Sequence, residues 1–153
     1  MSQISHRARK RCHIGVTLIC LLLFHLCLLS CSIPNLEKPQ CIEARDAVKR
    51  FYSLHFGTDM HPSRENLKAR EPFLTPDLIG SLSASGETSR DYFTATENYP
   101  RAFRVGECTS GSETQATLQV LLLWRDDTSS DQKEVHVDTV KTGDAWLINK
   151  VGN

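Results

Sequence analysis

The spacing of apolar residues in this chain changes at Pro100, and that change limits the folds it can adopt. Between residue 41 and Pro100, apolar residues recur every three or four positions, which is typical of helices with one buried face. After Pro100, apolar and polar residues alternate, which is typical of half-buried strands. Helices followed by consecutive strands favour an α+β fold, in which the helices pack on an antiparallel sheet.

Three helices are predicted before Pro100. The first covers residues 41–56, and Gly57 marks its end because glycine commonly follows the last helical residue. The second is short, covers residues 63–70 with a serine as N-cap, and is ended by Pro72. The third begins at Thr75-Pro76-Asp77, which supplies an N-cap, a proline at the first helical position and an acid in the first turn.

The alternating part of the chain predicts about four strands, at residues 102–109, 113–125, 133–141 and 145–151. A polar turn at residues 126–132 and a tight turn at Thr142-Gly143-Asp144 join the last three. The second strand carries Leu121 and Leu123 on the face opposite its main apolar row. Either a loop covers these two leucines, or the sheet forms a homodimer through that face.

The first 30 residues have the pattern of a secretory signal peptide. Residues 7–11 hold four basic side chains and no acid, and an apolar run follows at residues 14–29. The run ends in Leu28-Leu29-Ser30-Cys31, which resembles the bacterial lipobox. The resemblance implies cleavage before Cys31, lipid on its sulfur, and usually a third acyl chain on its amino group. Several acyl chains anchor a protein stably to a bilayer.

This interpretation divides the chain into a signal peptide (1–30), a lipid-attachment cysteine with its tether (31–40), and a single domain (41–153). The residue after the cysteine is Ser32, not the acidic residue that signals inner-membrane retention in enterobacteria. The resemblance to the lipobox therefore favours the periplasmic side of an outer membrane, where the host has one. Alternatives remain: an uncleaved membrane anchor, cleavage after Ser32 that releases a secreted or periplasmic protein, or a Cys31 without lipid.

Charge argues against a nucleic-acid partner. Lysine and arginine number 18 in the whole chain, as do aspartate and glutamate, but four of the basic residues and none of the acids lie in residues 1–30. The remainder therefore carries 14 basic and 18 acidic side chains, a net charge of −4. An acidic domain is repelled by phosphate backbones.

Two further cysteines, Cys41 and Cys108, follow the signal. An even pair in an exported domain indicates a disulfide, because the compartment is oxidising. The bond would join the first helix to a strand and add roughly 4 kcal/mol of stability in the chain-entropy model. Two separate buried thiols are the alternative.

The stretch at residues 91–100 has the sequence Asp-Tyr-Phe-Thr-Ala-Thr-Glu-Asn-Tyr-Pro. Together with Phe51-Tyr52 in the first helix and Trp146-Leu147-Ile148 near the end, it resembles the bacterial family catalogued as domain of unknown function 3828, of the nuclear-transport-factor-2-like superfold. The family loop typically has Asp-Pro-Phe and later Gln-Asp, so Tyr92 and Glu97-Asn98 depart from it. The resemblance implies a curved sheet wrapped around helices to form a cone; some relatives are isomerases or dehydratases, and many bind ligands or partners.

The same stretch supplies the candidate ligand or partner site. Asp91, Glu97, Asn98 and Tyr99 are crowded polar side chains, and the resemblance puts them near the rim of the cone. The alternative is a loop whose side chains cap neighbouring backbone groups, as aspartate and asparagine readily do.

Two other clusters favour structural roles. His55, Asp59 and His61 have ligand-type side chains, but Gly57 interrupts the helix between them, so a zinc site is not predicted. His136 and Asp138 share one strand face, and the alternation places that face in solvent rather than in the cone.

No Gly-rich phosphate loop, Gly-x-Ser-x-Gly or His-Glu-x-x-His motif occurs, so no catalytic residue, metal or cofactor is predicted. Trp124 and Trp146 are expected in the core. We therefore expect a membrane-tethered binding or adaptor module of the cell envelope, with an envelope protein or small ligand as partner. A small isomerase or dehydratase with an acidic and tyrosine-lined pocket is one alternative, and a secreted protective or immunity-type factor is another.

Overall fold

The computed structural model describes residues 36–86, 88–125 and 130–152. The signal peptide, Cys31 and the first part of the tether therefore lie outside the described residues. Within the described residues, none of the helices combines the length and apolar character needed to cross a membrane. The residues from Glu37 onwards form one compact unit.

Within the described residues, three helices precede the sheet. They are α1 (Pro39–Gly57), α2 (Arg64–Arg70) and α3 (Pro76–Ala84), with a 3₁₀ turn at Glu71–Phe73 between the last two. Both predicted caps are confirmed. The Ser63 hydroxyl accepts a hydrogen bond from the Asn66 amide at 3.1 Å, and Thr75 does the same for Leu78 at 3.3 Å.

Two predicted details of the first helix are wrong. It begins at Pro39, so the tether ends two residues early; a proline in the first turn lacks only an N–H that would be unpaired there. Gly57 belongs to the last turn, and Thr58 ends the helix in an extended conformation. The second helix ends at Arg70, as predicted, and Pro72 lies in the 3₁₀ turn that follows it.

Four strands form one antiparallel sheet in the order β1-β2-β3-β4. Their bounds are Ala102–Ser112, Gln115–Arg125, Ser130–Thr142 and Ala145–Gly152. Each strand pairs with its neighbour in the sequence, as short connections require. The predicted α+β class and four-stranded antiparallel sheet are therefore confirmed, and the arrangement is compatible with a cone.

The polar segment 126–132 is not all turn. β3 already begins at Ser130, and Gln132 pairs with Leu123 of β2. Polar residues can occupy exposed strand positions because the backbone ladder, not the side chain, satisfies the hydrogen bonds. Residues 126–129 lie outside the described residues. The predicted tight turn after β3 is present, and Gly143 there has a φ of +60°.

The core lies between α1 and the inner face of the sheet. Helix α1 contributes the residues at its three- and four-residue spacing, and β2 and β3 contribute alternate residues, as predicted. The fully buried members include Val48, Phe51, Tyr52, Leu118, Val120, Leu122, Val135 and Val137. Trp146 is also buried, whereas Trp124 packs against the core only in part and donates its indole N–H to the Asn98 carbonyl at 2.8 Å.

The predicted disulfide between Cys41 and Cys108 is confirmed. It joins the first turn of α1 to β1, with a Cα–Cα distance of 5.8 Å and a sequence separation of 67. Next to it, the Arg45 guanidinium donates to the Gly106 carbonyl and pairs with Glu37. The start of α1 is thus fixed to β1 by one covalent and one polar contact.

Candidate functional site

The described residues surround an open cavity of about 1070 Å³ that could receive a ligand or partner. We call it the groove. It lies between the end of α1, helix α2, the end of α3, the loop at residues 88–95 and the end of β4. Half-buried apolar side chains line part of it, and cationic side chains line another part. The apolar members include Met60, Leu67, Leu82 and Tyr92, and the cationic members are Arg64, Lys68, Arg70 and Arg90.

The floor of the groove is a buried chain of three polar side chains. The His55 Nε2 lies 2.9 Å from Asp91 Oδ2, and the Arg70 Nε donates to His55 Nδ1 at 2.8 Å. A guanidinium can only donate, so Nδ1 must accept and Nε2 carries the proton given to Asp91. His55 is therefore a neutral bridge between a buried cation and a buried anion.

Arg70 also fixes the connection between α1 and α2. Its Nη2 donates to the Asp59 carbonyl at 2.7 Å, and its Nη1 donates to the Asn66 carbonyl. Burial lowers the pKa of Arg70, while the nearby carboxylates of Asp91 and Asp59 act in the opposite direction. Arg70 remains charged, since arginine does not lose its proton in proteins.

Asp91 organises the loop that follows it. Its Oδ2 accepts from the Thr94 amide at 3.0 Å and the Thr94 hydroxyl at 2.6 Å, and its Oδ1 accepts from the Phe93 amide at 3.3 Å. The Asp91 amide in turn donates to the Thr96 carbonyl at 2.9 Å, which closes the loop. Ala95 sits at its tip with a φ of 53°, a conformation that non-glycine residues rarely adopt.

The structure separates the four residues of the predicted site. Asp91 lies at the floor of the groove, but Glu97, Asn98 and Tyr99 do not line it. Glu97 is exposed and accepts from the Ser89 hydroxyl at 2.9 Å. The Asn98 carbonyl accepts from Trp124, and the Tyr99 ring lies edge-on to the His61 ring. Burial, followed by the charge of Asp91, raises the pKa of Tyr99.

The structure also separates the two histidines of the cluster His55, Asp59 and His61. His61 Nδ1 lies 3.2 Å from Asp59 Oδ1 on an exposed loop, whereas His55 is buried with Asp91. The bond from the His61 amide is the main reason why the pKa of Asp59 is lowered.

On the outer face of the sheet, His136 is exposed and its nearest carboxylate partner is Glu134, at 3.4 Å. Asp138 accepts from Thr117 at 2.7 Å. The two residues therefore have different partners on a face away from the core, in keeping with the solvated face expected from the alternation. Leu121 and Leu123 lie on this outer face and are half-buried.

Sequence reasoning missed one member of the floor, Arg70, and the hydrogen bond of Tyr52, a core residue of α1. The Tyr52 hydroxyl donates to the Phe93 carbonyl at 2.8 Å, and burial, helped by the charge of Asp91, raises its pKa well above the usual range. A signal for the network existed in His55, a polar residue on the apolar stripe of α1. Nothing local indicated that Arg70, the last residue of a short helix, would be its partner.

The hydrogen-bonding atoms of His55 and Asp91 at the floor are occupied by partners within the protein. Both ring nitrogens of His55 are occupied, and the Asp91 carboxylate accepts four hydrogen bonds. A general base needs an atom within reach of the proton it removes, and here those atoms already serve the fold. A ligand can therefore contact the exposed cationic side chains at the rim of the groove, Arg64, Lys68 and Arg90, and its apolar side chains.

Among the described residues, ligand-type atoms for a metal come together only at Glu37, Cys41 and Cys108. The two sulfur atoms of this group form the disulfide. A cysteine binds a metal as a thiolate, so two sulfur atoms joined in a disulfide do not fit a metal centre.

No family model matches the sequence, and no curated protein matches it. Several solved structures match the chain, and two of them are the following. One is a chain of the type VI native effector–immunity complex Tae3–Tai3 from Ralstonia pickettii, with a TM-score of 0.51 and 18% identity over 72% of this chain and 93% of that chain. The other is a protein of unknown function from Bacteroides thetaiotaomicron, with a TM-score of 0.45 and 12% identity over 74% of this chain and 88% of that chain. At this identity, the similarity to the first structure establishes a shared fold.

Proposed function

We propose that this protein is a lipid-anchored binding module of the cell envelope, and that its partner is an effector protein that it binds as an immunity protein does. The groove is its binding surface. The resemblance to the domain of unknown function 3828 family and to the nuclear-transport-factor-2-like superfold belongs to the same proposal.

The observation that carries the proposal is the state of the groove floor. Arg70, His55 and Asp91 satisfy one another at 2.8 Å and 2.9 Å. A pocket built for acid–base catalysis keeps a titratable group free to meet its substrate. This floor instead holds α1, α2 and the loop at residue 91 in fixed positions, which suits the binding of a partner.

The open form of the groove supports a protein partner. Its volume of about 1070 Å³ is close to that of the largest small-molecule sites, but such sites bury most of their ligand and this groove is open. A loop or helix of another protein fills such a space. The fold of the domain also occurs in a chain of an effector–immunity complex, which supports the same class of partner.

The amino terminus supports the location. Its basic segment, apolar run and Cys31 resemble the export and lipidation signals of an envelope lipoprotein. A tethered immunity-type protein would meet an effector in the compartment through which the effector passes.

Site-specific photo-crosslinking in the native host tests the proposal. A photoreactive phenylalanine analogue replaces Ser83, an exposed residue of the groove, in the full-length chain. The matched control carries it at His136, an exposed residue of the outer sheet face. We expect one protein adduct from position 83 and none from position 136. Deletion of this gene should then make the cell sensitive to the captured protein.

A resident envelope protein captured at position 83, with no sensitivity on deletion, would make the domain an adaptor rather than an immunity-type protein. Adducts from both positions, or from neither, would contradict a specific protein partner at the groove.

A further inference from the structure

Three cationic side chains face the groove from two sides. Arg64 and Lys68 lie four residues apart on α2, a spacing that puts them on one helix face. Arg90 lies on the loop across the groove, directly before Asp91. All three residues are exposed, so a partner can reach them.

These three cations have no acidic partner in the described part of the chain. The ion pairs there join other residues, and no described carboxylate lies within 4.0 Å of Arg64, Lys68 or Arg90. Their charges are therefore available to a binding partner.

The described lining of the groove has the opposite charge sign to the domain that carries it. Arg70 and Asp91 balance each other at the floor, which leaves three cations against the single carboxylate of Glu71 in the described lining. The chain after residue 30 has a net charge of −4. A local excess of cations in an acidic domain attracts negatively charged partners to the groove.

A further cation lies close to this rim. Lys133 donates to the carbonyl of Ala95, a residue of the groove, at 2.8 Å. Burial lowers the pKa of Lys133, and the charge of Arg90 lowers it further. Two cations that repel each other at one edge are both stabilised when an anion binds beside them.

The groove also offers apolar contacts. Met60, Leu67 and Leu82 line it and are half-buried. A partner that fills it must therefore bring apolar side chains together with its negative charges, as an amphipathic segment does.

We propose that the groove binds an acidic amphipathic segment of the partner protein, whose carboxylates pair with Arg64, Lys68 and Arg90 and whose apolar side chains contact Leu67 and Leu82. This inference rests on the proposed function and specifies the chemistry of the partner. A nucleic acid is disfavoured, because the negative domain around the groove repels an extended phosphate backbone.

Fluorescence anisotropy with defined probes tests the inference on the purified domain, residues 37–153. The probes are a labelled 14-residue peptide of glutamate and leucine at helical spacing, the same peptide with lysine for glutamate, and a 15-nucleotide oligothymidine. We expect the acidic peptide to bind more tightly than the other two and its affinity to fall as salt rises, since the attraction is between exposed charges.

Charge reversal locates the binding. Lys68→Glu with Arg90→Glu should weaken the acidic peptide about tenfold or more. The matched control, Arg104→Glu with Lys150→Glu, changes the net charge equally at exposed positions outside the groove. It should change the affinity by less than about threefold. Both variants should keep the unfolding midpoint of the parent.

Equal losses in both double variants, no peptide binding, or tighter binding of oligothymidine would overturn the inference. The proposed function fails separately, when position 83 crosslinks no protein. Partner capture at position 83 that survives Lys68→Glu with Arg90→Glu would keep the function and refute the acidic segment.

Discussion

His55 and Asp91 lie 36 residues apart in the sequence and 2.9 Å apart in the fold, with 1% and 3% of their surfaces exposed. Arg70 completes the arrangement from the other side of the imidazole. The neutral imidazole of His55 lies between the Arg70 cation and the Asp91 anion, so two charges are buried without a direct contact between them. Each hydrogen bond in it is charge-assisted, and such bonds are stronger than those between neutral groups.

Replacing Asp91 should therefore destabilise the domain strongly. Asp91→Ala leaves the proton of His55 Nε2 and the Thr94 hydroxyl without their acceptor, and it leaves Arg70 without its balancing charge. Removal of one partner from a buried ion pair costs about 3–5 kcal/mol. The free energy of unfolding, measured in urea, should fall by about that amount.

Glu97 provides the control for this measurement. It is an exposed carboxylate six residues further along the same loop, with one hydrogen bond from Ser89. Glu97→Ala should change the unfolding free energy by about 0.5 kcal/mol or less. Similar losses in the two variants would mean that the buried network does not stabilise the fold.

The disulfide should contribute a comparable amount to the free energy of unfolding, through restriction of the unfolded chain. A bond that closes a loop with 67 residues of sequence separation restricts the unfolded chain, and the entropy model gives roughly 4 kcal/mol as an upper figure. Cys41→Ser with Cys108→Ser should lower the unfolding free energy by about 2–4 kcal/mol. Reductant should destabilise the parent domain and leave the double variant unchanged; a parent insensitive to reductant would contradict the prediction.

Acid should weaken the contact that Glu43 makes between α1 and the sheet. Its Oε2 accepts from Lys141 at 2.7 Å and from the Trp146 indole at 2.9 Å, and these contacts hold its pKa below the ordinary 4.5. A carboxyl with a lowered folded pKa stabilises the fold above its unfolded pKa, and this stabilisation is lost as the pH falls through the folded value.

The difference in unfolding free energy between the parent and Glu43→Gln should therefore be constant above pH 6 and shrink below about pH 4.5. Asp46→Asn, at an exposed position on the same helix, is the control. A parent-to-variant difference that grows in acid would reverse the sign expected from the Lys141 contact.

The lipidation proposal has a direct test in cell fractions. Cys31→Ser removes the sulfur that would carry the lipid, so the protein should move from the membrane to the soluble fraction or remain unprocessed. Cys27→Ser lies in the same apolar run and should leave the distribution unchanged. Equal behaviour of the two variants would favour an uncleaved anchor or a secreted protein.

Local patterns predicted the elements well, for a physical reason. The spacing of Val48, Phe51 and Tyr52 and the alternation through Leu118, Val120 and Leu122 depend only on which side of an element is buried. The caps at Ser63 and Thr75 are equally local, since each bond spans three residues.

The groove floor could not be predicted in this way. Its members come from α1, α2 and the loop before β1, and their separations of 15 and 36 residues leave no periodic signal. Of the four residues in the predicted site, only Asp91 lines the groove. The other three point elsewhere because the tight turn around Ala95 reverses the chain before it reaches them.

The position of the disulfide has a mechanical consequence. A pull on the amino-terminal segment enters the compact unit at Glu37, and a helix pulled from its end unfolds from that end. Cys41 lies four residues further on and is bonded to β1. The load therefore passes into the hydrogen-bonded sheet rather than along α1, and the groove at the far end of α1 keeps its shape when the amino-terminal segment is pulled.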